Sequence, residues 1–217
     1  MQKIMKVSVI VPTLDVSKAQ KYVGESLKDF QVNIVYMLDV YKNVSKTRNK
    51  GAEKEKDVAT LFFIDDDVEI DPEHFRKWLA LISEDRKNVI WNTQPLIFGI
   101  DRNLFVLTGG FDERIPFMSE DIEMHYTLKK LENAGILRIK YVEGGYIHHS
   151  STEGAERKRW LNEKHSVYVF LKHDRKRLLH VLKRYHDGWK IFLMRYVWLL
   201  WTIWKFLFFK RTDCKFY

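Results

Sequence analysis

Residues 59–70 read ATLFFIDDDVEI. Leu61–Ile64 is an unbroken apolar run, and Asp65-Asp66-Asp67 follows it without a spacer. Such a short apolar run, aromatic and aliphatic throughout, is the pattern of a strand buried on both faces. Three adjacent carboxylates repel one another and are costly unless a cation or strong hydrogen bonds neutralise them. A buried strand ending in concentrated charge suits an open parallel sheet, whose ligands sit beyond the carboxyl ends of the strands.

The flanking sequence repeats this design. VSVIVPTLD at 7–15 reads as a strand feeding a Pro-Thr loop, and VNIVYMLD at 32–39 as a second strand ending on Asp39. Residues 16–30 have polar, helical spacing, and SKTRNKGAEKE at 45–55 is predicted as a helix with Ser45 as its cap. The stretch 59–70 is the third strand, and Asp71-Pro72 opens the next helix. Strands alternating with helices predict a mostly parallel sheet covered on both faces. Further strands are expected at 88–94, 104–110, 137–144 and from Tyr146, with a helix from about Glu120 to Asn133 and helices throughout from Glu156.

Composition narrows the class. The chain has 217 residues, 46% of them hydrophobic and 30% charged, which excludes a disordered or low-complexity protein. The single cysteine, Cys214, excludes an internal disulfide framework and a cysteine-based zinc cage. The run Val7–Pro12 is too short for a signal-peptide core. The net charge of +8 is unevenly spread: residues 1–155 carry 21 basic and 24 acidic side chains, residues 156–217 carry 16 and 5. This predicts a mildly acidic globular domain, 1–155, followed by a basic tail, 156–217, containing Trp189, Trp198, Trp201 and Trp204.

Three further features carry chemistry. Glu120-Asp121 opens a helix, where carboxylates also suit the helix dipole. His148-His149 follows a strand, a metal-ligand pattern that is weak on its own. TGGFDE at 108–113 is a tight turn or a close backbone approach. With VSVIVPTLD, the stretch KTRNKGAEKEKDVATLFFIDDDVEI, LTGGFDERIPFMSEDIEMHYTLKKLENAG and YIHH, these segments occur in an order that resembles family-2 glycosyltransferases of the GT-A fold, over about residues 5–155.

The resemblance implies an α/β, Rossmann-like sheet flanked by helices and followed by C-terminal amphipathic helices. It implies a nucleotide-sugar donor, a divalent metal (Mn²⁺ or Mg²⁺) and inverting transfer to an acceptor hydroxyl. Pro12, Thr13, Asp15, Asp39, Arg48, Asp65 and Asp66 would bind the nucleotide. Asp67 and His148, or else His149, would hold the metal; Gly110, Phe111, Asp112 and Glu120 would border sugar and acceptor; Asp121 would be the base. The chain departs from the family at 37–46, MLDVYKNVSK, where an Asp-Gly-Ser stretch is usual, and at Asp15, where Asn is common. A Mg²⁺-dependent nucleotidyltransferase and a catalytically silent GT-A-like scaffold are the alternatives.

In the tail, WKIFLMRYVWLLWTIWKFLFF at 189–209 gathers Lys190, Arg195, Thr202 and Lys205 within one arc of about 140° at 100° per residue. This predicts an interfacial helix, and KHDRKRLLHVLKRY at 172–185 adds attraction to anionic lipid. The expectation is peripheral attachment through 172–209 to the cytoplasmic face of a membrane. Docking to a partner or homodimer mate, or a membrane span, are the alternatives. Nucleic acid is not expected, because aliphatic residues and not stacking aromatics separate the basic ones.

Overall fold

The computed structural model describes residues 6–93, 95–116, 118–149, 155–183 and 189–208; within 155–163 and 205–208 only the backbone is described. A six-stranded sheet has the order β2-β1-β3-β6-β5-β7. Its strands are β1 (Val7–Thr13), β2 (Asn33–Leu38), β3 (Thr60–Ile64), β5 (Asn88–Asn92), β6 (Ile97–Asp101) and β7 (Arg138–Tyr141). β1 pairs parallel with β2 and β3, and β5 with β7; β6 runs antiparallel to both its neighbours. The sheet is therefore mostly parallel, as the alternating pattern predicts.

Strict alternation divides the core between the two faces. Val9, Val11, Phe62 and Ile64 pack on one side with Phe75 and Trp78 of α4 (Pro72–Glu84). Ile10, Leu61 and Phe63 pack on the other with Phe98, Phe105, Phe111 and Met124. The first side is also covered by α1 (Val16–Ala19), a π-helical stretch (Gln20–Gly24) and α2 (Glu25–Leu27). The second is covered by α3 (Val44–Lys54), α5 (Arg102–Thr108) and α6 (Glu120–Asn133).

Two expectations are corrected. The run 59–70 is two strands: the chain turns at the aspartates, and β4 (Val68–Ile70) leaves the main sheet to pair antiparallel with β8 (Tyr146–His148). Residues 104–110 form no strand; they lie in α5 and the glycine turn after it, and the strand is Ile97–Asp101. The Asp101 carboxylate accepts from the amides of Asn103 and Leu104, so it caps a helix over the apolar run LFVL. Gly109, at φ 79°, ends that helix in the left-handed conformation.

The tail is three helices, α7 (Ala155–His173), α8 (Arg175–Lys183) and α9 (Trp189–Phe208). Val167, Val169, Phe170, Leu178, Val181 and Trp198 bury one cluster with Ile115, and Ile122 and Tyr126 of α6 pack against it. The expected polar stripe of α9 does not lie open to solvent as a unit: Arg195 and Thr202 are fully buried, while Lys190 is exposed. The exposed positions are instead Trp189, Leu193, Tyr196, Val197, Leu200, Ile203 and Trp204. Residues 184–188 and 209, part of the predicted interfacial segment, and 150–154, part of the last predicted strand, lie outside the described residues. Among the described residues no helix is long and apolar enough to cross a membrane.

Gly99 in β6 has no room for a side chain, since a Cβ there would lie 2.4 Å from the buried Phe62 ring. Overpacking of this kind costs about 1–3 kcal/mol. Gly99→Ala is expected to lose that much stability in urea unfolding; an unchanged midpoint would refute the packing described.

Candidate functional site

The site gathers at the carboxyl edge of β1, β2 and β3. Asp65 turns inward: its Oδ2 accepts from the Leu96 amide at 2.8 Å and its Oδ1 from Arg48 Nη2 at 2.7 Å. Asn43 caps α3 through the Lys46 amide, and that helix delivers Arg48 beneath the sheet edge. Arg48 Nη1 donates to Glu120 Oε1 at 2.9 Å, and its guanidinium lies 5.1 Å from the centre of the Phe111 ring. Asn49, the next residue, accepts from the Phe111 amide and donates to the Phe111 carbonyl, both at 2.9 Å. Two adjacent residues of α3 thus fix β3, the first turn of α6 and the glycine turn together.

One cation here faces three carboxylates. Asp65 and Glu120 share Arg48, and Asp121 follows Glu120 with its Oδ1 accepting from the neighbouring Ile122 amide at 2.8 Å. Burial, reinforced by the charge of Glu120, pushes the Asp121 carboxyl up to about 7. Burial also pushes Asp65 upward, against the pull of Arg48 and the Leu96 N–H. Arg48 Nε and Glu120 Oε2 are buried without a hydrogen-bond partner among the described residues. A carboxylic acid titrating near neutrality can take up and release a proton under ordinary conditions.

Asp66 and Asp67 point the other way. Asp66 Oδ2 lies 2.5 Å from the Thr13 hydroxyl, and its Oδ1 accepts from Lys18 Nζ at 3.0 Å. Asp67 Oδ2 lies 3.4 Å from the same ammonium, and Asp67 Oδ1 lies 3.4 Å from His148 Nε2. The β4–β8 register pairs Val68 with His148, which brings this imidazole to Asp67. His149 diverges from it, stacking on Tyr22 at 4.2 Å with its Nε2 3.1 Å from Glu69. Among the described residues no three acidic or histidine side chains converge as a closed metal cage. Asp67 with His148 nevertheless offers the oxygen and imidazole donors that a hard divalent ion takes when substrate phosphates supply the remainder.

The other expected residues fall into two groups. Pro12 and Thr13 end β1 at this edge, and Asp15 caps α1 by accepting from the amides of Ser17 and Lys18. Asp39 accepts from Thr47 Oγ1 at 2.6 Å and from the Asn43 amide at 3.0 Å, so it braces the entrance to α3. Phe111 meets the cluster only through the ring beside Arg48, and the Asp112 carboxylate does not join it. Phe111 is fully buried among Phe63, Phe98 and Phe105, because the turn at Gly109 and Gly110 (φ 79° and 73°) feeds it inward. Asp112 accepts from Arg114 at 2.7 Å, Tyr168 at 2.8 Å and Lys172 at 2.9 Å, and the two cations hold its carboxyl far below the usual range against the cost of burial.

Sequence reasoning missed Lys18 and the clamping role of Asn49. Lys18 is separated from Asp66 by 48 residues and Asn49 from Phe111 by 62, so no local pattern announces either contact. It also missed the apolar rim of Leu38, Val40 and Tyr41, which stay exposed beside the ends of β1 and β2.

No known family model matches the sequence, and no curated protein matches it. Solved structures do match. A structure of GalNAc-T7 with UDP, GalNAc and Mn²⁺ superposes at a TM-score of 0.61 and 12% identity, over 94% of this chain and 56% of that one. The chain therefore spans little more than half of that enzyme's length. Residues 1–349 of TarS from S. aureus superpose at 0.55 and 18% identity, over 95% of this chain and 76% of the other. The chain has the GT-A glycosyltransferase fold. Within the GT-A fold, the carboxyl edge that carries Asp65–Asp67 is also where open α/β sheets bind ligands.

Arg48→Met would leave the buried Glu120 and the half-buried Asp65 with no cation between them. Breaking a buried pair in this way costs about 3–5 kcal/mol. That loss is expected in chemical denaturation; a loss below about 1 kcal/mol, the scale of a surface pair, would contradict the buried triad.

Proposed function

We propose that this protein is a metal-dependent, inverting glycosyltransferase of the family-2 type, transferring a sugar from a nucleoside diphosphate sugar to an acceptor hydroxyl at a membrane surface. The observation that carries the reading is that one sheet edge holds two adjoining acidic groups, Asp65 with Glu120 and Asp121 around the buried Arg48, and Asp66 with Asp67 beside Lys18 and His148. The GT-A fold and the GalNAc-T7 likeness, a complex with UDP and Mn²⁺, support it.

Each residue has a task that its position suits. Leu38, Val40 and Tyr41 give a nucleobase an apolar rim beside Asp39, and Thr13 and Asp15 line the start of the adjoining helix. Asp67 and His148 would hold the divalent ion, which supplies positive charge for the departing diphosphate. Asp121 takes the proton of the acceptor hydroxyl, and its raised affinity for a proton matches that role. Glu120 holds Arg48 and sets the charge that Asp121 feels.

The tail supports attachment to an anionic membrane. The outward face of α9 is apolar and aromatic, and Arg175, Lys176, Arg177, His180 and Lys183 of α8 are exposed near its start. Apolar area and basic charge together are what bind a helix to an anionic interface.

A panel of nucleoside diphosphate sugars with Mn²⁺, read by release of the nucleoside diphosphate, tests the activity. At least one donor is expected to turn over, and Asp67→Ala and Asp121→Asn are each expected to lower the rate at least about 100-fold. Full turnover in either variant would overturn its assignment, and turnover of nucleoside triphosphates alone would favour a nucleotidyltransferase.

The pH dependence follows from the same residue. A base whose proton leaves near pH 7 is inactive below that pH, so kcat/KM should rise through about 7 and level off above it. Glu120→Gln removes a repelling charge and should move the midpoint to lower pH; an unmoved or higher midpoint would exclude this coupling.

Vesicle sedimentation tests the tail. Binding to vesicles containing phosphatidylserine should fall as salt rises and drop at least about tenfold in Leu200→Glu, because α9 presents this side chain outward at 68% exposure. Loss of dimer in that variant, with lipid binding retained, would assign the face to a second copy of the chain.

A further inference from the structure

Asp65, Asp66 and Asp67 are three successive carboxylates with two different kinds of counter-charge. Asp65 has a permanent one: Arg48 is only 3% exposed at its side chain and is held at both terminal nitrogens, by Asp65 and by Glu120. Asp66 and Asp67 share Lys18, whose Nζ stands 3.0 Å from one and 3.4 Å from the other. The Lys18 side chain is 37% exposed on a flexible four-carbon stem, so it can leave without opening the core. Its backbone is fixed by the Asp15 cap, directly before the π-helical stretch at Gln20–Gly24.

We propose that Lys18 is an exchangeable internal cation, seated on Asp66 and Asp67 when no divalent ion is present and displaced when one binds. The inference rests on Asp67 being a metal ligand. The ammonium takes one oxygen from each aspartate, and Asp67 turns its remaining oxygen toward His148. A divalent ion drawing on the same carboxylates competes with the ammonium for lone pairs and for charge. The cost of removing Lys18 is paid at each metal-binding event, so it lowers the apparent metal affinity by the fraction of sites that Lys18 leaves open. The pair stays neutralised in the resting protein, and the cation that later occupies it is exchangeable. Nothing of this kind is available at Asp65, where Arg48 has no route out.

Mn²⁺ titration of the full chain with a nucleoside diphosphate present, read from the electron paramagnetic resonance of free Mn²⁺ and corrected for the Mn²⁺ that the nucleotide alone holds, tests the proposal. Lys18→Met keeps the aliphatic stem and is expected to bind Mn²⁺ about tenfold more tightly than the wild type, a difference of about 1.4 kcal/mol. Lys18→Arg should stay near the wild type. Lys21→Met, which removes a cation that lies over the Tyr22 ring, should do the same. Equal affinity in Lys18→Met and wild type, or equal tightening in Lys21→Met, would overturn the seated-cation role while leaving the metal site intact. Absence of saturable Mn²⁺ binding in wild type, Lys18→Met and Asp67→Asn alike would instead overturn the metal reading, and this inference with it.

Discussion

A single guanidinium buried between two carboxylates organises the functional edge of this protein. Arg48 ties Asp65, at the end of the central strand, to Glu120, at the start of α6. Buried ion pairs of this kind contribute little net stability, because desolvation offsets much of the attraction. Their contribution here is placement: two elements far apart in sequence must close on the same cation or leave a charge unpaired. The stoichiometry then determines the chemistry. One positive charge serves two carboxylates, and the third, Asp121, retains a proton to unusually high pH.

The strands that matter most were legible because buried parallel strands read as continuous apolar runs. β1 and β3 are buried at every position; β1 ends at the expected Pro-Thr loop, and β3 ends with its apolar run at Ile64, short of the expected 59–70. α6 was legible from its acidic first turn, and the helix after Asp71 from its proline. β6 and α5 were not, because an apolar run as short as LFVL fits either state until a cap decides. Asp101 is that cap, and its role depends on where β6 stops. The break between β3 and β4 was also hidden: the partner that draws Val68–Ile70 out of the main sheet is β8, almost eighty residues on.

Side-chain direction was the least legible property of the site. GGFD was recognised as a turn near the chemistry, yet its phenylalanine packs in the core and its aspartate meets the tail. Asn49 holds the backbone of that turn from one side, and Tyr168 and Lys172 of α7 hold Asp112 from the other. Lys172 also pairs with Glu123 on α6, whose carboxylate lies 3.0 Å from His173. The tail helices are therefore fastened to the element that carries Asp121. In α9 the sequence displays the polar stripe but not which face is covered; Arg195 and Thr202 of that stripe are buried, and apolar side chains face outward.

The central claim is electrostatic: burial beside Glu120, with the one nearby cation already shared by Asp65 and Glu120, leaves Asp121 titrating near neutrality. The most direct measurement is a carbon-13 NMR titration of the Asp121 carboxyl, assigned by comparison with Asp121→Asn. The account predicts a midpoint at about 7. A midpoint near the ordinary aspartate value of 3.8 would contradict it.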